Sequence, residues 1–212
     1  MDRPRAQFPL NKPLADSLGW RRHGTHYLYL STWYDLRQDE ITLPGGERTT
    51  FTFVEHPGFA SVVPVTADGR IVLIRSFRYT VDQWVWEVPA GGFGNQPGRS
   101  PAEVVRAELA EETGYAIRGE LRHVASYFHG IGNSHTRAHV FLATGVEPAG
   151  PQALDDTEQI EIHPLPIARA LDLVRTGEME DGASSFALLL CEPYLRGWTD
   201  GRDGSDRQRD GP

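Results

Sequence analysis

The chain has almost no cysteine. Its single thiol, Cys191, leaves nothing for an internal disulfide to join, and it sits in an apolar, helix-like run that marks it as a core side chain rather than a nucleophile. Long hydrophobic runs are missing as well. The longest strongly apolar stretch, residues 186–191, is far shorter than the ~20 residues that a bilayer-spanning helix needs. The first residues, MDRPRAQFPLNKPLADSL, hold no continuous apolar core of the kind a secretory leader carries. Positive charge is scarce: 21 Lys and Arg stand against 29 Asp and Glu, a net charge of −8, which argues against the clustered basic footprint that binding to a nucleic-acid backbone requires. The expectation is a cytoplasmic protein with no membrane and no nucleic-acid partner. Its 212 residues suit one main domain with accessory segments.

What the chain does have is acid in one place. In SPAEVVRAELAEETGY, residues 100–115, Ser100 can cap a helix, Pro101 suits the first helical position, and Glu103 can reach back to complete a capping box. Thr113 and Gly114 supply the stop. Ala102, Val105 and Leu109 then make a narrow apolar stripe, while Glu108, Glu111 and Glu112, at i, i+3 and i+4, are expected to share a neighbouring face. Like charges at this spacing repel by a few tenths of a kcal/mol per pair, and no Lys or Arg stands four residues away to offset them. A hard divalent cation would. Magnesium takes oxygen ligands and is commonly held by one or two carboxylates together with substrate phosphates. A solvated acidic helix face is the other reading of the same three residues.

Upstream stands WEVPAGG, residues 86–92, and together with AELAEETGY it resembles the Nudix hydrolase family, particularly its ADP-ribose pyrophosphatase branch. Of the family box, G-x5-E-x7-R-E-U-x-E-E-x-G-U with U apolar, Glu108, Leu109, Glu111, Glu112, Gly114 and Tyr115 occupy the second half. The first half departs from it. Ala107 stands in place of Arg, Arg99 in place of the first Glu, and the segment from Gly91 to Arg99 is two residues longer than the pattern. An orienting ion pair loses its purpose when either member goes, so the two departures read as one loss.

The resemblance spans about residues 30–195. It implies an α/β fold, the Nudix α/β/α sandwich with a mixed sheet, plus a small N-terminal antiparallel β-domain that mediates a homodimer. It implies metal-dependent hydrolysis of a nucleoside diphosphate linked to another moiety, ADP-ribose or a nucleotide sugar, to a nucleoside monophosphate and a sugar phosphate. The implied cofactor is Mg²⁺, with Mn²⁺ as a substitute, held by Glu108, Glu112 and the carbonyl of Ala90 with help from Glu111. Arg78 and Glu87 carry over as substrate contacts. Asp155, Asp156 and Glu158 fall where the branch keeps its catalytic base, with Asp156 and Glu158 the favoured pair. A surface salt bridge for Arg78 and a solvated acidic loop for the three acids are the alternatives. At the level of function the alternative is a Nudix fold that binds a nucleotide sugar as a sensor or accessory subunit, and Arg99 and Ala107 are what favour it.

The remaining segments divide at residues 18, 56 and 196. Residues 1–18 carry three prolines and read as a mobile arm. Residues 19–56 form the N-terminal β-domain, a hairpin broken at Pro44-Gly45-Gly46. The Nudix domain, residues 57–196, opens with a second hairpin, 60–65 and 71–77, around Ala67-Asp68-Gly69-Arg70. Trp84 and Trp86 flank Val85, and one is expected to pack inward while the other faces the cleft or a partner. A strand over 117–127, a loop over 128–137, a strand over 138–143 and a polar loop over 144–159 follow. His129, His135 and His139 lack the fixed geometry of a metal site and read as loop residues. Two helices separated at Gly177 come next, and residues 197–212 read as a disordered tail.

Overall fold

Turn residues and alternation set the first strands. The computed structural model describes residues 11–94 and 98–199. Residues 1–10 of the arm expected over 1–18, and residues 200–212 of the tail expected over 197–212, lie outside the described residues; of the rest, 13–17 are helical and 197–199 continue a helix. After the short helix α1 (Pro13–Ser17), three strands, β1 (Arg21–Leu30), β2 (Asp35–Thr42) and β3 (Arg48–Glu55), pair antiparallel in that order. The turn at Pro44-Gly45-Gly46 is where the sequence places it, but a further turn before Asp35 makes three strands of the expected hairpin.

The inner face of this sheet is built on charge. Along β2, Arg37, Asp39 and Ile41 are buried at the period of two that a strand dictates. Arg37 is 1% exposed. Its Nε and Nη2 donate to the two carboxylate oxygens of Asp39 at 2.8 Å each, and its Nη1 donates to Glu55 at 2.6 Å. Thr25 donates to Asp39 at 2.7 Å and Tyr27 to Glu55 at 3.1 Å, so the acids have hydroxyl partners as well. The guanidinium carbon lies 5.2 Å from the centre of the Phe53 ring.

Contacts divide the chain into two compact units. Met1–Phe59, Gly92–Gly98 and Tyr127–Ala138 make the first; Ala60–Gly91, Arg99–Ser126 and His139–Pro212 make the second. The first is stitched from distant segments: Val54 N donates to Asn133 O at 2.8 Å, and Phe93 N to Gly58 O at 3.0 Å.

The larger sheet follows from the hairpin of β4 (Phe59–Thr66) and β5 (Arg70–Arg78), where the sequence expects one. Then come β6 (Gln83–Glu87), β7 (Ala90–Gly92), α2 (Pro101–Thr113), β8 (Tyr115–Ile117), β9 (Leu121–Phe128), β10 (Arg137–Pro148), β11 (Ile160–Pro166), α3 (Ile167–Arg175) and α4 (Gly182–Thr199). Strand order is β11-β5-β4-β10-β8, with β6 on β5, β7 on β4 and β9 on β10. Val62, Val63, Ile71, Val72, Leu73 and Ile74 have no exposed surface. Burial of consecutive strand residues means that both faces of the sheet are covered. α3 packs on β5 and β11, and α4 on α3 and β6. Ala187, Leu188, Cys191 and Leu195 form the buried stripe of α4, and burial pushes the Cys191 thiol up to about 12, as befits an inert core residue.

Three expectations are corrected. The strand expected over 117–127 is two strands, β8 and β9, broken where Gly119 passes so close to Thr144 that a Cβ would lie 2.5 Å from its carbonyl oxygen. β10 continues to Pro148, which shortens the polar loop to residues 149–159. Trp84 and Trp86 do not point opposite ways. Two residues apart on a strand, they share one face, Trp84 against Phe77 and Trp86 under the Arg75 guanidinium.

Replacing Arg37 with Ala leaves two buried carboxylates without their cation, and losses of about 3–5 kcal/mol follow from breaking such a pair. Urea unfolding of Arg37→Ala should show a drop of that size; a midpoint unchanged from wild type would mean that the ion cluster does not hold this sheet together.

Candidate active site

The helix start and stop are as the sequence predicts. Ser100 Oγ accepts from Glu103 N at 3.3 Å, the Glu103 carboxylate accepts from Ser100 N at 2.7 Å, and Gly114 closes α2 at φ 70°. Only glycine fits at that end, because a Cβ on Gly114 would lie 2.2 Å from the carbonyl oxygen of Gly150. The loop 149–159 is thereby drawn onto the helix terminus. Ala149 N and Gly150 N donate to Gly114 O at 2.8 and 3.1 Å, and Ala153 N donates to Glu111 O at 2.8 Å.

The three glutamates differ in burial. Glu111 is exposed, Glu108 is half-buried and Glu112 is 4% exposed. Neighbouring helical residues are rotated by about 100°, so Glu112 continues the buried stripe of Val104, Val105 and Leu109 while Glu111 turns to solvent. Glu112 is therefore a carboxyl group embedded in core. Its Oε2 accepts from Ala90 N at 3.1 Å. Burial, then the neighbouring Glu108, push it well above the ordinary glutamate range; the Ala90 N–H pulls it down, Glu158 pushes it up, and Arg78 pulls it down again.

The turn before α2 explains the Pro-Ala-Gly-Gly run. Ala90 supplies the N–H for Glu112, and Gly91 supplies room for Glu108: a Cβ there would lie 1.9 Å from Glu108 Oε1. The turn is itself anchored, since Val62 N donates to Pro89 O and Val88 N to the buried Ser184 Oγ, both at 3.0 Å. Arg78 on β5 reaches Glu87 on β6 through its side chain. Nε donates to Glu87 Oε1 at 2.7 Å and Nη2 to Oε2, a two-point contact, with Glu87 7% exposed.

Of the loop acids, Glu158 is half-buried and its charge is felt at Glu112. Its Oε2 accepts from Asp155 N at 2.9 Å. Asp155 and Asp156 are exposed. Sequence reasoning missed Gln152, whose Nε2 donates to Glu112 O at 2.7 Å and to Ile160 O at 3.2 Å. A lone polar residue in a loop carries no periodic or motif signal. The loop histidines scatter: His129 lies against Phe59, His135 against Phe53, and His139 bonds Ser126.

Among the described residues no three His, Cys, Asp or Glu side chains converge as a ready-made metal cage. The donors nonetheless fit a hard divalent cation. Glu108 stands close enough to Glu112 to raise its proton affinity, beside the Ala90 turn, and Mg²⁺ typically completes a carboxylate set with water and substrate phosphate.

The family description NUDIX domain matches residues 55–183. The chain belongs to the Nudix family. It is 30% identical over 155 residues to the ADP-ribose pyrophosphatase of Bacillus subtilis, covering 73% of this chain and 82% of that one. It is also 30% identical over 170 residues to the CMP-5'-(N-acetyl-N-hydroxy-3-aminopropyl)phosphonate hydrolase of Streptomyces rubellomurinus, covering 80% and 81%. A crystal structure of an ADP compounds hydrolase superposes with a TM-score of 0.72 at 19% identity, over 86% of this chain and 96% of that chain, which establishes the Nudix α/β/α sandwich with its mixed sheet. This Nudix protein is a pyrophosphohydrolase of the ADP-ribose pyrophosphatase-like branch.

The raised Glu112 carboxyl has a pH signature. Between its ordinary value of 4.5 and its raised folded value, the folded state holds a proton that the unfolded state has lost. Its contribution to stability is therefore fully present at low pH and is lost as pH rises through the folded value. Without metal, the melting temperature of wild type relative to Glu112→Gln should fall as pH rises from about 5 to 8, a window taken around the carboxylate reference values. Parallel curves for the two proteins would show that Glu112 is not a buried, proton-holding carboxyl.

Proposed function

We propose that this Nudix protein hydrolyses the diphosphate bond of a nucleoside diphosphate joined to a second group, releasing a nucleoside monophosphate and the phosphorylated second group, with ADP-ribose the first substrate to test. The observation that carries the reading is the embedded Glu112 carboxyl, held by the Ala90 N–H next to Glu108. Glu108, Glu112 and the Ala90 carbonyl would hold Mg²⁺, or Mn²⁺ in its place, and the exposed Glu111 would assist through water. Bound there, the cation supplies charge neutralisation for the diphosphate and a more acidic attacking water.

The chain's own groups do the rest. Glu158, whose charge reaches Glu112, is favoured over the exposed Asp156 to take the proton from that water as it attacks phosphorus and the bridging P–O bond breaks. Arg78, fixed by Glu87 from below, offers its guanidinium to an anionic substrate. Arg99, exposed ahead of the helix cap, and Ala107 lie outside the carboxylate pair. Their departure from the box removes orientation and leaves the ligands, a loss of about 10- to 100-fold rather than of all activity.

Hydrolysis of ADP-ribose and a panel of nucleotide sugars, read as metal-dependent release of monophosphate, tests this. Glu112→Gln should lower kcat at least ~100-fold, the scale of removing a group that acts in the transition state. A wild type silent on every diphosphate, while ADP-ribose still raises its melting temperature, would replace the hydrolase with the nucleotide-sugar binder.

A homodimer in a cytoplasmic setting belongs to the same proposal. Leu28, Tyr29, Trp33 and Phe51 in the first unit are 54%, 53%, 54% and 47% exposed, large apolar side chains that a partner could cover. Light scattering should report twice the chain mass of 23.6 kDa. A single-chain mass throughout the micromolar range, roughly that of stable oligomers, would remove the dimer.

A further inference from the structure

We infer that Gln152 is a positioning residue whose side-chain amide, bridging the end of α2 and the start of β11, sets where Glu158 stands relative to Glu112. The inference rests on the hydrolase reading above and deepens it.

The last turn of a helix leaves carbonyls without intrahelical partners. Here the loop 149–159 supplies the donors one after another: Ala153 N to Glu111 O, Gln152 Nε2 to Glu112 O, and the N–H groups of Ala149 and Gly150 to Gly114 O. Three of the four links are backbone to backbone, and almost any residue could make them. Gln152 alone of this set uses a side chain. Both of its partners, Glu112 O and Ile160 O at 2.7 and 3.2 Å, are carbonyls, which accept and never donate, so the contact must use the two N–H groups on the single amide nitrogen.

That bridge fixes two points at once. Glu112 is the buried carboxyl of the site, and Ile160 is the first residue of β11, two positions after Glu158. The far end of the loop is tied to β5 through Phe77 N, which donates to Gln159 O at 3.0 Å. Between the ties the chain closes on itself, Asp155 N on Glu158 Oε2 and Glu158 N on Asp155 O, both at 2.9 Å. Cutting the Gln152 bridge removes the one side-chain tie between the helix end and the start of β11, and so loosens the segment that carries Glu158 while its backbone ties to Glu111 and Phe77 and the Ala90 hydrogen bond of Glu112 remain.

The test is steady-state hydrolysis of ADP-ribose with Mg²⁺ by Gln152→Ala, Gln152→Glu and Gln152→Lys, each alone and combined with Glu158→Gln. Loss of an orienting partner lowers kcat about 10- to 100-fold in the Ala and Glu variants. KM stays within about twofold, because ground-state binding is untouched. Gln152→Lys, which keeps donors for both carbonyls, recovers most of the rate. In the Glu158→Gln background Gln152→Ala costs less than ~3-fold, since a group that acts through Glu158 has nothing left to position. Hydrogen exchange followed by mass spectrometry should show faster exchange over residues 149–159 in Gln152→Ala and unchanged exchange in α2 and β5, a readout independent of turnover. An equal loss in both backgrounds, or a Gln152→Ala variant with wild-type kcat, overturns the inference. A wild type that hydrolyses no diphosphate overturns the hydrolase reading itself, and the positioning role with it.

Discussion

Burial of the Glu112 carboxyl is the constraint that the rest of the site obeys. An ionised carboxylate taken out of water is expensive unless hydrogen bonds or opposite charge compensate it. In the second unit the compensation is partial: one N–H from Ala90 and the more distant pull of Arg78, against the push of Glu108 and Glu158. The Pro-Ala-Gly-Gly turn, the glycine at the helix end and the loop behind it all serve to keep that group where it is.

The first unit buries charge as well, and resolves it differently. Arg37 places three donors against Asp39 and Glu55, and Thr25 and Tyr27 satisfy further lone pairs on the same acids. That cluster is closed. Its members answer one another within the sheet. Glu112 is answered otherwise, by the Ala90 N–H and by Arg78 at a distance, against the push of Glu108 and Glu158.

Helix α2 was legible almost to the residue, because capping and glycine termination are local: each signal lies within four positions of the group it satisfies. The β4–β5 hairpin and the α3–α4 pair were legible for the same reason. The burial of the three glutamates was not legible. Spacing at i, i+3 and i+4 brings side chains near one another, but it does not say which of them the core will claim, and the core claimed Glu112 and left Glu111 outside. The two tryptophans were misjudged although a strand's period of two already puts residues 84 and 86 on one face.

Sequence by itself determined the family, the helix with its caps, the acids of the box and the absence of a usable second cysteine, all of which are encoded in neighbouring residues. Tertiary structure alone decided that Arg37 meets Glu55, that Gly91 must be bare because Glu108 lies against it, and that Gln152 closes the end of α2. Those pairings join residues 17 or more positions apart. Their physical reason is the demand that every buried polar group find a partner, and which partner arrives is fixed by how sheets and helices pack rather than by any local pattern in the chain.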